Sequence, residues 1–221
     1  MSARLRTAPL LVAAVIGVVL GVLSAWFDSL PVDTPLIVLV AMANAVGPWL
    51  VAAFAAGSVA GRRSSGALAG AVALIVGVVA YYVGLRAIYG DRLPPDALLA
   101  GGLWVAAAIG AGIVLGGAGG IWAAGGRRAH IGVAILAGGL IAEAAYRLIA
   151  VEAWDGVDLA RTSVQVAIVD LVGALLAIMA LVERRSRPAA FAWSAGLAVG
   201  GLALLSASLF VMDVIRFGGP A

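Results

Sequence analysis

The side chains of this sequence that could do chemistry are ionisable and aromatic groups set inside long apolar stretches. Glu143 and Arg147 are four residues apart, a spacing that puts both on one face of a helix and lets them form an ion pair. Asp170 lies in the next apolar stretch. Ionisable groups inside such segments are costly to bury and therefore tend to mark functional sites. The other candidates in these stretches are polar or aromatic: Asn44, Tyr81, Tyr82, Arg86, Tyr146, Gln165 and Asp213.

Together these side chains favour the binding of a small polar or zwitterionic molecule. Arginine binds carboxylate and phosphate groups with paired hydrogen bonds, and tyrosine offers an apolar face together with a hydroxyl. Two other interpretations stay open. In the first, the charges form a structural network of ion pairs, such as Glu143 with Arg147. In the second, Glu143 and Asp170 carry protons along a relay.

The residue types that the chain lacks exclude several kinds of chemistry. It has no cysteine, one histidine, His130, and no lysine, so that all fourteen cationic side chains are arginines. This excludes disulfides and thiolate metal sites, a retinal Schiff base, and a multi-histidine metal or haem site within one chain. The sequence also shows no nucleophile–base pattern and no HExxH motif. We therefore predict no enzymatic activity, no metal, no cofactor and no nucleic-acid partner.

The stretches that must position these residues have the composition of membrane helices. Of the 221 residues, 64% are hydrophobic and 11% are charged, whereas about a quarter of a soluble domain is charged. A membrane-spanning helix needs about 20 apolar residues. We predict an all-α, polytopic bundle of seven transmembrane helices in the lipid bilayer, with six as the alternative in which the first segment is a cleaved signal peptide. The predicted spans, in one membrane domain covering residues 1–221, are 9–27, 36–60, 67–88, 97–124, 131–151, 163–182 and 189–214.

Arginines on alternate sides of successive spans indicate one face of the membrane. They occur before the first span and in the loops near residues 62, 127 and 184, whereas the remaining loops are rich in aspartate and glutamate. Because cytoplasmic loops carry the excess of arginine, the N-terminus is predicted to be cytoplasmic and the C-terminus outside. The expected location is the bacterial cytoplasmic (inner) membrane. In this orientation nearly all the polar candidates lie in the outer half of the bilayer.

Glycines spaced four apart are frequent, above all in the fourth span. Gly112, Gly116 and Gly120 have this spacing, which lets helix backbones approach closely in lipid. We interpret it as close packing inside the bundle, with a docking face for a membrane partner subunit as the alternative. In the second span, Gly47-Pro48 predicts a kink, which either opens a cavity beside Asn44 or belongs to ordinary bundle geometry.

The segment from Asn44 to Trp49, the Ala/Gly-rich stretch after it, and Glu143 resemble those of uncharacterised polytopic membrane proteins of high-GC bacteria. In size, Ala/Gly richness and depth of polar groups, the chain is also similar to the substrate-capture subunits of energy-coupling-factor transporters. Those subunits usually have six helices, hold a ligand near the outer face and dock onto a partner, so this resemblance implies a small ligand and a partner subunit. We therefore predict a transport-related membrane protein with a polar small-molecule site in the outer half of the bundle. The alternative is a structural or accessory subunit whose buried charges are only an ion-pair network.

Overall fold

The computed structural model describes residues 4–31, 37–43, 45–90, 96–149 and 157–217, and within these ranges every regular element is a helix. For residues 4–6, 96–100, 157–160, 204–205 and 207–217 the backbone alone is described. The prediction of an all-α bundle is thereby confirmed. The helices are α1 (Arg4–Asp28), α2 (Ile37–Ala43), α3 (Gly47–Ala60), α4 (Arg63–Tyr89), α5 (Asp96–Ala123), α6 (Ala129–Ile149), α7 (Val157–Leu181) and, after a short 3₁₀ turn (Arg184–Ser186), α8 (Arg187–Phe217).

Long apolar helices make this chain a multi-pass membrane protein. Within the described residues, α1, α4, α5, α6 and α7 are each long and apolar enough to cross a bilayer, and α2 and α3 together would form a sixth span. Large aliphatic side chains on the outer face of α1 are widely exposed, for example Leu11 at 67%, which suits contact with lipid. α8 covers the seventh predicted run, and the count of seven spans stays a prediction.

The second predicted span is interrupted rather than kinked. α2 ends at Ala43 and α3 begins at Gly47, with a bend of 61° between them. Pro48 lies in the first turn of α3, where its missing N–H costs no hydrogen bond. The amides of Trp49 and Leu50 both donate to the Val46 carbonyl at 3.0 Å and so close that first turn. The proline therefore starts a new helix instead of bending a continuous one, and the pair can still cross the membrane as one broken span.

Glycine contacts hold α3, α4 and α5 together. Gly116 on α5 lies against the backbone of Gly66 and Gly70 on α4 and of Gly57 on α3. The approach is so close that a Cβ at any of these four positions would overlap a neighbouring backbone atom. The structure thus bears out close packing inside the bundle for this part of the fourth predicted span. A docking face for a partner subunit stays a prediction and would need another face of α5.

The helix contacts divide the bundle into two groups. α1, α3, α4 and α5 pack on one another, while α6 packs on α7 and α8. The groups meet where α5 and α3 contact α6 and where α2 contacts α7. Consequently, the break between α2 and α3 lies where the two groups join, and the two buried carboxylates, Glu143 and Asp170, lie beside it.

Candidate functional site

Glu143 on α6 is the centre of a buried polar cluster beside the break. The residue is 3% exposed, and its Oε1 accepts three hydrogen bonds. Arg147 donates two of them, from Nε at 3.1 Å and from Nη2 at 3.0 Å, and the backbone N–H of Val46 donates the third at 2.7 Å. The ion pair expected from the spacing of four residues is therefore present. Because Val46 lies between α2 and α3, the carboxylate also satisfies an amide at a helix start, where no intrahelical acceptor exists.

Asp170 on α7 approaches the same break. This residue is also 3% exposed. Its Oδ1 occupies the space that a Cβ on Gly47 would need, so only glycine allows this approach between the carboxylate and the first residue of α3. Gly47 follows Val46, whose amide Glu143 binds, so the two carboxylates lie against neighbouring residues of the break. The cluster thus joins α6, α7 and the start of α3.

Two carboxylate oxygens of the cluster stand out. Among the described residues, Oε2 of Glu143 and Oδ2 of Asp170 are buried and have no hydrogen-bond partner. Nearly all buried polar atoms in folded proteins are hydrogen-bonded, so two such atoms in one cluster are unusual. The surface pair of Glu183 and Arg185 differs in this respect, because both side chains are widely exposed and water can satisfy them.

A cavity of about 180 Å³ lies next to the same break, between α2, α3, α4 and α5. Four aromatic side chains line it: Trp49, Tyr81, Tyr82 and Trp104. The other described lining residues are alanine, valine and leucine, among them Val46. Val46 therefore belongs to both features. It lines the cavity, and its backbone amide donates a hydrogen bond to Glu143.

The end of α4 connects the cavity to α1. The hydroxyl of Tyr81 donates to Oδ2 of Asp28 at 2.8 Å, and its ring meets that of Tyr82 edge-on, with 5.2 Å between the ring centroids. One turn further, Arg86 is exposed and donates to the carbonyl of Gly90. The tyrosines thus form a cavity wall, whereas Arg86 closes the C-terminal turn of its own helix.

The predicted site residues divide into groups rather than forming a single lining. Glu143, Arg147 and Asp170 make up the buried cluster, and none of these three lines the cavity among its described residues. Tyr81 and Tyr82 line the cavity. The remaining predicted residues are Arg86 at a helix end, Tyr146 and Gln165, which are half-buried on α6 and α7, and Asn44 and the side chain of Asp213, which lie outside the described residues. A shared ligand for all ten stays a prediction.

Residues 2–212 match a protein family whose description reads family of unknown function (DUF6518). The chain belongs to the DUF6518 family. Because the match spans nearly the whole chain, the broken helix, the carboxylate cluster and the aromatic cavity all lie within the region that this DUF6518 protein shares with its family. No curated protein and no solved structure matches the chain.

Three residues that contribute to the site of this DUF6518 protein were not predicted from the sequence. Trp49 and Trp104 line the cavity, and Val46 contributes a backbone amide. Trp104 lies inside the fourth predicted span, whereas tryptophan is enriched at membrane interfaces, and this position is the signal that could have found it. The role of Val46 has no sequence signal, because every residue except proline carries the same amide.

In the part of the chain that the structure describes, no group of three or more acidic, histidine or cysteine side chains comes together. Calcium and magnesium are held by larger sets of oxygen ligands. What the cluster does provide is two buried carboxylates, of which Glu143 is paired with Arg147, and buried carboxylates are groups suited to binding or exchanging a proton.

Proposed function

We propose that this DUF6518 protein is a transport-related membrane protein that binds a small solute in the aromatic cavity beside the α2–α3 break. The observation that carries the proposal is the cavity, about 180 Å³ in volume and walled by Trp49, Tyr81, Tyr82 and Trp104. Ligand sites in proteins are concave, mostly apolar and lined by aromatic side chains with a few polar groups, and this cavity has those properties.

The volume and the lining define the class of solute. An apolar cavity of about 150 Å³ holds one benzene molecule, so this cavity suits a compact solute built on one small ring or an aliphatic group of similar size. The walls favour an apolar body that packs against the aromatic rings. This proposed solute differs from the polar or zwitterionic ligand expected from the sequence, because Glu143, Arg147 and Asp170 are not among the described lining residues.

The broken helix supports a role in transport. Non-helical backbone at membrane depth is tolerated where it is buried in protein or lines a cavity, and discontinuous helices beside a binding site are common in secondary transporters. In this protein Val46 lines the cavity while its amide is held by Glu143, so a movement of the break would change the cavity wall. The likeness to substrate-capture subunits of energy-coupling-factor transporters supports the same role.

A structural or accessory subunit is the second candidate. Its support is the geometry of Glu143, whose Oε1 binds Arg147 and the Val46 amide together. Such contacts anchor the start of α3 to α6 without any ligand. In that case the cavity would be a packing defect beside the break and would bind no solute specifically.

Thermal unfolding of the purified protein separates the two candidates. The melting temperature is measured in detergent with phenol, indole and toluene as apolar probes, and with glycine and glycine betaine as zwitterionic probes. A solute that binds only the folded state stabilises it by about 2.7 kcal/mol at one hundred times its Kd. We expect one or more apolar probes, and neither zwitterion, to raise the melting temperature in proportion to the logarithm of concentration.

Two leucine variants on α5 test whether the apolar probes raise the melting temperature by binding in the cavity. Ala111→Leu adds side-chain volume to the cavity wall and is expected to abolish the stabilisation by the apolar probes. Ala106→Leu adds the same volume on the exposed side of this helix and is expected to preserve it. If no probe stabilises the protein, or if both variants respond as the wild type does, the cavity does not bind solutes and the structural candidate stands.

A further inference from the structure

The buried cluster at the α2–α3 break contains one carboxylate more than it has cations. Among the described residues, Arg147 is the one cation paired within the cluster, and it pairs with Glu143, while Glu143 and Asp170 are both 3% exposed. If both were ionised, the cluster would carry a net negative charge away from water. A buried, uncompensated charge is so unfavourable that the group takes up a proton instead. We propose that Glu143 and Asp170 form a proton-binding pair that holds one proton in the folded protein.

Among the described side chains, the neighbouring helices supply no second cation to the pair. α2 and α3 carry no titratable side chain. The other ionisable groups on the remaining helices around the pair are Asp96 on α5, His130 and Tyr146 on α6, Asp158 and Arg161 on α7, and Arg187, Asp213 and Arg216 on α8. Of these, the ones with described side chains, His130, Tyr146, Arg161 and Arg187, form no ion pair with the cluster. The side chains of the other four, Asp96, Asp158, Asp213 and Arg216, lie outside the described residues.

The hydrogen bonds assign the proton to Asp170. Glu143 is the ionised member, because its Oε1 accepts three bonds from N–H donors, two of them from a cation, and such bonds stabilise a carboxylate. Asp170 has the opposite situation, since its buried Oδ2 has no partner among the described residues. Protonation turns an oxygen that can only accept into a donor. Oε2 of Glu143 offers an unused acceptor in the same cluster.

A proton suits this pair better than a metal ion does. A hard metal cation takes a shell of about six or more oxygen ligands, and no third acid joins the pair among the described residues. The guanidinium of Arg147 would also repel a metal cation at this distance from Glu143. A proton needs neither a shell of oxygen ligands nor a further anionic side chain.

Loss of the proton would affect the break directly. Two carboxylates would then compete for Arg147, and an anionic Asp170 would lie against the first residue of α3. The start of a helix has free N–H groups and favours an anion, so the ionised Asp170 would compete there with Glu143 and weaken the contact between Glu143 and the Val46 amide that anchors the break. This inference concerns side chains other than the cavity walls, and it does not rest on the proposed solute.

Infrared spectroscopy of the full chain in lipid vesicles tests the proposal. A protonated carboxyl has a C=O stretching band that an ionised carboxylate lacks, and D₂O shifts that band. We expect one such band at neutral pH in the wild type and its disappearance on alkalinisation. Asp170→Asn should remove the band, whereas Glu183→Gln, an acid-to-amide change in the exposed surface pair, should leave it unchanged. A wild type without the band, or a band that survives in Asp170→Asn, would overturn the assignment.

A second variant keeps the test decisive if Asp170→Asn does not fold. In Glu143→Gln the guanidinium of Arg147 loses its anion, so Asp170 is expected to ionise and replace it, and the band is again lost. Retention of the band in that variant would contradict the proposal, because the proton would then not depend on competition between two acids for one cation.

The pH dependence of thermal stability gives an independent measurement. If the folded protein binds a proton that the unfolded chain releases, the free energy of unfolding falls as the pH rises. Because unfolded aspartate ionises at a pKa of about 3.9, we expect the melting temperature to fall from mildly acidic pH upward by clearly more in the wild type than in Asp170→Asn, and to level off once Asp170 has ionised in the folded protein. Equal falls would count against the pair. Replacing choline chloride by sodium chloride should change neither protein, and a stabilisation specific to sodium and dependent on Asp170 would show that the pair binds a metal ion instead.

Discussion

At the scale of single residues, Gly47 has the most direct control over the buried cluster. It is the first residue of α3, and its missing side chain leaves the space that Oδ1 of Asp170 occupies. Leu140 on α6 lies on the same side of Gly47, so the carboxylate has no room to retreat in that direction. The approach of α7 to the break therefore depends on this one glycine.

Gly47→Ala is expected to destabilise the protein. The added Cβ would overlap the Asp170 carboxylate, and overpacking of a well-packed interior costs about 1–3 kcal/mol. Thermal or denaturant unfolding of the purified protein measures the loss. Gly173→Ala on α7 is the matched control, because a Cβ there would make only an ordinary contact with Leu140 at 3.7 Å. Equal stabilities of the two variants would mean that Asp170 does not lie against the break.

Only the features of the site that depend on residues close together in the sequence were predictable from it. The ion pair of Glu143 and Arg147 follows from helix periodicity, and the burial of Asp170 follows from its position inside an apolar run. The separation of Tyr81 and Tyr82 from these charges does not follow, because it depends on which helices become neighbours. α4 packs on α5 whereas α6 packs on α7. The spacing of residues along the chain does not predict which helices pack on each other.

At the scale of elements, the hydropathy pattern predicted the positions of the helices well. Gly47-Pro48 predicted a kink at a place where the structure has a break between two helices. The run 67–88 corresponds to α4 and the run 131–151 to α6, with differences of a few residues at the ends. Gly47-Pro48 predicted a kink because a proline inside a helix removes one hydrogen bond. The structure instead places that proline in the first turn of α3. Composition alone does not distinguish these outcomes, because a start of a helix and a kink accommodate proline equally well.

The glycine contact of α3, α4 and α5 leads to a prediction at this scale. Gly116→Ala is expected to destabilise the protein by about 1–3 kcal/mol, since its Cβ would overlap the backbone of Gly66 and Gly70 and would push α4 away from α5. Gly110→Ala on the same helix is the control, because a Cβ there meets nothing within 4 Å. Thermal unfolding of both variants in the same detergent measures the difference. If Gly116→Ala is as stable as Gly110→Ala, these helices do not pack through their glycines.

At the scale of the whole molecule, the break joins two groups of helices and brings the cavity and the carboxylate cluster side by side. The cavity belongs to α2–α5, whereas the acids of the cluster come from α6 and α7. Val46 is the shared residue. A change in the protonation of the cluster would therefore act on the cavity through a single segment of backbone, without any need for movement along a whole helix.

The orientation of the bundle decides which side of the membrane this arrangement serves, and introduced cysteines can determine it. The chain has no cysteine, so Ser29→Cys, in the turn after α1, and Ser64→Cys, in the exposed first turn of α4, each provide a single thiol. The arginine distribution predicts that Ser29 faces the outside and Ser64 the cytoplasm. In intact cells a membrane-impermeant maleimide should label Ser29→Cys and spare Ser64→Cys, and permeabilised cells should show labelling of both. The reverse pattern would place the α1–α2 loop in the cytoplasm, and the polar half of the bundle, with Tyr81 bound to Asp28 near that loop, would then open to the cell interior.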